Sequence, residues 1–299
     1  MHVQRKDRVD ALGATLLVGF SLLLGLNQAL IKLVNAGLDP MAQAGLRSCG
    51  AIVPVLIFAW FTRKKLSLTD GSLGLGLLNG LFFSGEFALL FIALDYSSVT
   101  RVSLFFYSMP LWVALGAHFL VEGEQLTPRR SLGLVIALTG VALALFQNSG
   151  AAEGRWIGDL LSLLAAFCWA GIALLLRTTR LARVSPEMNL LYQLMVSAVL
   201  LTAWAWLFLE PVREPTALTW GILAFQSLFV ACAGFLMWTW LLGIYPVSDV
   251  ASFSLLTPVF AVSFGWLIFS DEITPMFVLA LALVLFGLAL INKKPPKLS

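Results

Sequence analysis

Ten apolar segments follow one another along this chain, and each is about long enough to cross a lipid bilayer. A helix needs about 20 apolar residues to span the hydrocarbon core. The segments cover residues 11–34, 42–61, 71–94, 98–121, 129–147, 155–178, 187–209, 217–242, 247–269 and 275–292. A chain of 299 residues with 60% hydrophobic and 12% charged residues does not have the composition of a soluble domain. We therefore predict an all-α membrane protein with ten transmembrane helices, called spans 1–10 below.

Two of these spans share an unusual arrangement. Val99 and Pro110 in span 4 are each followed, 148 residues later, by Val247 and Pro258 in span 9. A proline inside a helix removes one backbone hydrogen bond, and in a membrane such a break is tolerated only where protein or water satisfies the freed groups. Broken helices in matching positions of two halves indicate a substrate path between the halves. We predict that Pro110 and Pro258 act as hinges.

Other matches occur in the same order along the two halves. Pro40 is matched by Pro186, and Gly140 in span 5 is matched by Gly287 in span 10. Matches at a nearly constant offset indicate duplication. Because each half has five spans, the second half enters the membrane from the opposite side. We predict two inverted five-helix repeats, residues 1–147 and 155–292, joined by a polar linker at 148–154.

The basic residues predict how the chain is oriented. Of the 19 Lys and Arg residues, 14 lie in the termini and loops on the side of the N-terminus. The opposite loops hold two, and the spans hold three. The positive-inside rule then places both termini in the cytoplasm. The net charge of +3 reflects this asymmetry and gives no reason to expect a nucleic-acid partner.

The turns that follow the two proline-containing spans are alike. They read Glu124-Gln125-Leu126-Thr127 and Glu272-Ile273-Thr274, and glycines follow each of them in the next span. With ten spans in two halves, the sequence resembles the drug/metabolite transporter superfamily of EamA type, and within it the YddG-type exporters of aromatic and other amino acids. The resemblance implies a carrier of the bacterial inner membrane that exports aromatic or hydrophobic amino acids by alternating access. It also implies a central cavity between spans 1–4 and 6–9, with spans 5 and 10 packed outside it.

Polar and aromatic residues at helical spacing mark the candidate path. Polar groups that face lipid are costly, so such stripes face protein or water. The alternative is that they only join helices, as Ser, Asn and Gln often do. The joint pattern over spans 1–4 favours a cavity, and two tryptophans near mid-bilayer either pack or form an aromatic wall. The predicted substrate-binding residues are Arg47, Asn79, Phe83, Glu86, Ser103, Tyr107, Trp112, Trp169 and Gln193.

Charged residues within the spans leave two interpretations open. Glu86 forms a structural ion pair with Arg47 or with Arg101, or it works in transport. In the second case Arg47 binds a substrate carboxylate, while Glu86 binds the substrate's ammonium group or carries a proton. The sequence does not decide between uniport and proton coupling.

Other function classes fit less well. The chain has two histidines, no close pair of acids in mid-membrane, no cluster of metal ligands and no Gly-x-Ser-x-Gly motif. We therefore expect no enzyme, no catalytic residues, no metal and no cofactor. Within carriers, the alternative is an exporter of drugs or an exchanger of phosphorylated metabolites or nucleotide sugars. An exchanger of phosphorylated substrates would need several basic groups converging in mid-membrane.

Stripes of small residues in spans 3 and 5 predict close helix packing. Gly76 and Gly80 are four residues apart in span 3, and span 5 carries Gly133 and Gly140. Such stripes let helix backbones approach closely. We assign them to packing within one chain, and we expect a monomer whose partners are a small-molecule substrate and the lipid bilayer.

Overall fold

In the computed structural model, residue 6 and residues 9–63, 66–121, 124–146, 155–245, 250 and 253–292 are described. They are almost entirely helical. The α-helices are α1 (Ala11–Asn35), α2 (Pro40–Phe61), α3 (Leu73–Tyr96), α4 (Val99–Phe106), α5 (Met109–Leu120), α6 (Pro128–Phe146), α7 (Arg155–Thr178), α8 (Pro186–Phe208), α9 (Ala217–Phe225), α10 (Phe235–Ile244), α11 (Leu256–Phe269) and α12 (Pro275–Asn292). A 3₁₀ turn, Arg180–Arg183, follows α7, and a π-helical segment, Gln226–Gly234, joins α9 to α10.

These helices confirm the predicted spans. Within the described ranges, nine helical segments are long and apolar enough to cross a membrane, and the shorter apolar α11 corresponds to span 9. Spans 4 and 8 each contain two α-helices, namely α4 with α5 and α9 with α10. The predicted linker at 148–154 lies outside the described residues.

Polar residues in the short connections set where the helices begin. An N-cap side chain that accepts a hydrogen bond from the first turn satisfies one of its free N–H groups. The residues that do this in front of α1, α2, α4, α8 and α9 are Asp10, Asp39, Ser98, Ser185 and Thr216. The polar joins between apolar segments therefore fix the ends of the spans.

Span 4 is broken beside its proline, as predicted. α4 ends at Phe106 and α5 begins at Met109, so Pro110 is the second residue of α5. Proline fits there because the first turn of a helix leaves its N–H groups unbonded. Ser108, in the break, donates its hydroxyl to the carbonyl oxygen of Phe105 at 2.5 Å. Pro258 likewise lies in the first turn of α11, directly after a turn at residue 255.

The two halves of the chain interlock. α1 packs on α11, α2 on α8, α3 on α7 and α8, and α6 on α12. Each of these pairs joins a helix from the first half to a helix from the second. Apolar faces of both halves are therefore buried against each other. The α6–α12 pair corresponds to spans 5 and 10, which the resemblance places outside the cavity.

The glycine stripe of α6 lies against α12. A Cβ atom built on Gly287 would come within 2.4 Å of the carbonyl oxygen of Gly133 and 2.6 Å of the Cβ of Ala137. A Cβ on Gly140 would come within 2.6 Å of the carbonyl oxygen of Ala280. The prediction that small residues serve packing within the chain is confirmed for this pair.

Gly287→Ala is expected to lower the free energy of unfolding by about 1–3 kcal/mol, because the new methyl group overpacks a backbone contact. Gly19→Ala in α1 is the matched control, since no atom lies within 4 Å of its Cβ position. That change replaces a helical glycine in open space and should leave stability unchanged or raise it. The melting temperatures of both variants are measured in detergent by following the loss of the monodisperse peak in size-exclusion chromatography. Equal melting temperatures for Gly287→Ala and Gly19→Ala would contradict the prediction.

Polar contacts hold together the end of the bundle that we call the distal face, where α1 and α3 end. The guanidinium of Arg213 donates to the carbonyl oxygen of Asn35 at 2.7 Å and to the carboxylate of Asp95 at 2.8 Å. The ammonium of Lys32 donates to the carbonyl oxygen of Ser97 at 2.5 Å. α1, α3 and the α8–α9 connection are therefore joined at this face.

The opposite end, where α1 begins, is called the N-terminal face. There the hydroxyl groups of Ser72 and Tyr192 are 3.0 Å apart and join the start of α3 to α8. The hydroxyl of Tyr245 donates to Asp10 at 2.7 Å and joins the end of span 8 to the start of α1. Both ends of the bundle thus carry polar contacts between the two halves.

Candidate functional site

Two opposite charges lie near the middle of the bundle. Arg47 follows the first residue of α2 by seven residues and Glu86 precedes the last residue of α3 by ten. At 1.5 Å per residue, they lie roughly 10 Å and 15 Å from the distal ends of their helices. A bilayer core is about 30 Å thick, so both groups lie far from the headgroups. Arg47 is 2% exposed and Glu86 is 4% exposed.

The guanidinium of Arg47 lies against the aromatic side chains of α3. Its Cζ atom is 3.9 Å from the ring centroid of Phe87 and 5.1 Å from that of Phe91. Phe83 continues the row, with its centroid 4.5 Å from that of Phe87. Stacking on rings supports a cation without using its N–H donors. The buried Nε of Arg47 has no hydrogen-bond partner among the described residues.

Glu86 and Arg47 attract each other without forming a direct ion pair in the described part of the chain. The interaction between Arg47 and Glu86 is a coulombic attraction. Glu86 also interacts coulombically with the side chains of Tyr107 and Cys168. Glu86 accepts no hydrogen bond from any described residue. Buried charges are normally paired or hydrogen-bonded. The structure therefore presents a buried acceptor and a buried donor of opposite charge with no direct hydrogen bond or ion pair between them in the described part of the chain.

The alternative pairing of Glu86 with Arg101 is wrong. Arg101 forms an ion pair with Asp159 of α7 and donates from Nε to both carboxylate oxygens, at 3.1 and 3.2 Å. It also donates to the carbonyl oxygen of Ala144 at 2.9 Å. Ser97 donates its hydroxyl to Asp159 at 3.2 Å. This network joins the starts of spans 4 and 6 at the distal face, and among the described residues Arg47 is the basic group that interacts with Glu86.

Two aromatic residues at the break in span 4, Phe106 and Tyr107, pack against Trp169 of α7. Tyr107 lies at the break itself, next to the last residue of α4. The Trp169 ring stacks on Phe106, with centroids 4.9 Å apart and planes 18° apart. Its centroid is 6.1 Å from that of Tyr107, nearly edge-on. Trp169 and Tyr107 therefore form an aromatic pair, and Tyr107 interacts electrostatically with Glu86.

Buried amides form two further pairs between helices. Gln43 donates to Gln226 at 3.1 Å, which joins α2 to the π-helical segment, and Gln193 donates to Asn79 at 3.4 Å, which joins α8 to α3. Oε1 of Gln43, Nε2 of Gln226 and Nδ2 of Asn79 are buried and have no partner among the described residues. Gln226 was missed in the sequence analysis. The repeat could have identified it, because it follows Asn79 by 147 residues.

The predicted site residues thus fall into three groups. One group contains the two charges and the aromatic residues that ring contacts or electrostatic interactions connect to them: Arg47, Phe83, Glu86, Tyr107 and Trp169. The pair of Asn79 and Gln193 lies nearer the N-terminal face, because Asn79 precedes Glu86 by about two helical turns. The third group is Ser103 and Trp112, whose described contacts lie within span 4 or with α7. Ser103 donates to the carbonyl oxygen of Val99, and Trp112 packs on Phe167 and donates to Ser108 at 3.1 Å.

Comparison with known proteins places this architecture in a family. The family model described as "EamA-like transporter family" matches residues 11–146 and again residues 156–293. The chain is 29% identical over 304 residues to the "Probable amino-acid metabolite efflux pump" of Escherichia coli (strain K12), covering 96% of this chain and 94% of that protein. It is 26% identical over 278 residues to the "Uncharacterized transporter YoaV" of Bacillus subtilis (strain 168), covering 91% and 94%.

A solved crystal structure shares the fold with a TM-score of 0.66 at 22% identity, covering 93% of this chain and 95% of that chain. The family and the names of the relatives indicate a multi-pass membrane transporter rather than an enzyme. The two matches of the family model agree with the two halves that interlock in the structure. The chain belongs to the EamA-like transporter family.

Proposed function

We propose that this protein exports amino acids with aromatic or other apolar side chains by alternating access through the cavity between spans 1–4 and 6–9. The observation that carries the proposal is the buried pair of opposite charges, Arg47 and Glu86, whose hydrogen-bonding capacity is not used by the described residues. Removing a charge from water is costly unless a partner replaces the water. A zwitterion supplies a partner to both groups at once.

In this proposal Arg47 binds the carboxylate, since a guanidinium matches the geometry of a carboxylate with two parallel N–H donors. Glu86 accepts hydrogen bonds from the ammonium group. Phe83, Tyr107 and Trp169 contact the apolar side chain, and aromatic pairs contribute about 0.5–1.5 kcal/mol beyond their buried area. Trp112 instead supports the break in span 4 through its hydrogen bond to Ser108.

Asn79 and Gln193 line the path toward the N-terminal face. The bond from Gln193 to Asn79, at 3.4 Å, is long and leaves a buried donor on Asn79 unused among the described residues. Two efflux pumps named for amino-acid metabolites, from Escherichia coli and Salmonella typhimurium, are each 29% identical to this chain. A path contained within one chain needs no second copy, so we propose a monomer, and the family of bacterial transporters supports the inner membrane as its location.

Counterflow in proteoliposomes tests the proposal. Vesicles are loaded with one unlabelled amino acid, and uptake of labelled tryptophan, phenylalanine or leucine is compared with uptake of aspartate and lysine. We expect exchange of the apolar amino acids and no exchange of the charged ones. Competition by sugar phosphates or nucleotide sugars, without competition by any amino acid, would overturn the proposal and favour an exchanger of phosphorylated substrates.

The orientation follows from the basic residues and has its own test. In a background where the three native cysteines are replaced by alanine, Ser67→Cys lies between α2 and α3 and Glu214→Cys lies between α8 and α9. With cytoplasmic termini, an impermeant thiol reagent should label Glu214→Cys in intact cells and spare Ser67→Cys until the cells are opened. The reverse pattern would place the termini outside.

The hinges are also a proposal with a measurable consequence. Pro110→Ala and Pro258→Ala each return a backbone N–H to the start of a half-helix, which favours a continuous helix through the break. We expect the double variant to insert and fold but to exchange substrate more slowly than the wild type. An unchanged exchange rate would show that the breaks do not bend during transport.

A further inference from the structure

A cavity lies at the distal face, and neither Arg47 nor Glu86 lines it. Its volume is about 250 Å³, somewhat below the roughly 300–1,000 Å³ typical of sites for drug-sized ligands. It is lined by Ser98, Arg101, Arg155, Phe269, Ser270, Asp271, Glu272 and Phe277. These residues come from the starts of spans 4 and 6 and from the connection between spans 9 and 10. The cavity therefore belongs to both halves of the chain.

The basic side of this cavity includes a guanidinium nitrogen that no described residue accepts from. Arg101 is 6% exposed. Its Nε and Nη2 atoms donate to the carboxylate of Asp159, and Nη2 also donates to the carbonyl oxygen of Ala144. Its Nη1 atom donates to none of the described residues. Arg155 is the first residue of α7 and adds a second guanidinium at the positive end of that helix dipole. This side of the cavity is suited to a carboxylate.

The remaining walls supply the other features of an apolar amino acid. Glu272 and Asp271 bring negative charge, and one oxygen of Asp271 already accepts from the backbone and hydroxyl of Thr100, at 2.9 and 2.8 Å. Glu272 is therefore the acid that suits an ammonium group. Phe269 and Phe277 provide apolar surface on which a side chain can pack. Both signs of charge and two rings meet within a volume that suits one small molecule.

We propose that this cavity is a second binding site for the exported amino acid, which occupies it after leaving the central charges and before release at the distal face. The inference rests on the proposed function for the identity of the ligand. The two sites share one helix: Arg101 precedes Tyr107 by six residues of span 4, roughly 9 Å along the axis. The contact of Asp271 with Thr100 lies at the start of α4, beside the cavity.

Protection from alkylation tests the second site. Ser270→Cys lines the cavity, and its rate of reaction with an impermeant maleimide is measured in purified protein with and without phenylalanine, tryptophan or leucine. The background has the three native cysteines replaced by alanine. We expect the amino acids to slow labelling at least several-fold. The protection should persist when Arg47→Gln removes the central charge and should disappear with Arg155→Gln or Glu272→Gln. Ser67→Cys is the unprotected control.

The outcomes separate the two proposals. Loss of protection with Arg47→Gln, but not with Glu272→Gln, would show a single central site and overturn the inference while leaving the proposed function in place. Amino-acid counterflow without any protection of Ser270→Cys would do the same. Absence of both counterflow and protection would overturn both proposals. If Ser270→Cys does not give a monodisperse protein, Ser98→Cys probes the same cavity from the start of span 4.

Discussion

Asp159→Ala is expected to lower the free energy of unfolding by about 3–5 kcal/mol, the largest stability effect that we expect from one substitution in this chain. The carboxylate is 2% exposed, accepts from the guanidinium of Arg101 and from the hydroxyl of Ser97, and joins span 6 to span 4. Removing it leaves a buried guanidinium with one carbonyl acceptor, at Ala144. A buried, uncompensated charge accounts for the size of the effect.

Two variants show whether the buried charge is the cause. Glu124→Ala breaks the exposed pair with Arg177, and such surface pairs contribute about 0–1 kcal/mol. Combining Asp159→Ala with Arg101→Met removes both charges and should recover most of the loss, because the desolvation cost disappears with the cation. Thermal melts in one detergent compare all the variants. A melting temperature for Asp159→Ala equal to that of Glu124→Ala would contradict the prediction.

Arg47→Gln is expected to have the largest effect on transport. Losing one partner of a buried, hydrogen-bonded charge pair costs about 2–5 kcal/mol, which is roughly 30-fold or more in affinity. Under the proposed function, counterflow of every amino-acid substrate should fall by at least that factor at low concentration. Arg183→Gln removes an exposed positive charge from the connection between α7 and α8 and is the matched control. Equal counterflow in the two variants would remove Arg47 from the binding site.

Glu86→Gln separates two roles for the acid. If Glu86 only binds the ammonium group, the variant should lose affinity for amino acids, and a pH gradient should have no effect on transport by the wild type. If Glu86 also carries a proton, wild-type transport should be stimulated by the gradient and the variant should lose that stimulation. One proton moving across the membrane with a neutral zwitterion adds about 2.3 kcal/mol per 100 mV. Uptake into sealed vesicles with and without a gradient measures the difference.

The sequence predicted well those features that depend on local physics. The length of the apolar segments predicted the spans, and Pro110 predicted the break that lies at Tyr107 and Ser108. The small residues of span 5 predicted close helix packing, which is seen where Gly133 contacts Gly287. Each of these depends on residues whose effect on a helix is the same in any context. Arg47 and Glu86 were also predicted to lie within spans 2 and 3, where the structure has them.

The partners of the charges could not be predicted in the same way. Periodicity gives the depth of a residue and the face of its helix, but it does not say which helix packs against that face. Arg101 was therefore considered as one possible partner of Glu86, and Asp159 near the start of span 6 was not considered as a partner of Arg101. Gln226 was missed although the repeat matches it to Asn79, at an offset of 147 residues. Both errors concern contacts between distant helices.

The ion pair of Arg101 with Asp159 has a consequence for how the chain is made. The two residues are 58 positions apart, so the ribosome adds Arg101 well before its counter-ion. An arginine within a span is costly in lipid until it is paired. We therefore expect span 4 to reach its final packing only after span 6 has been synthesised, because Asp159 is then available to Arg101.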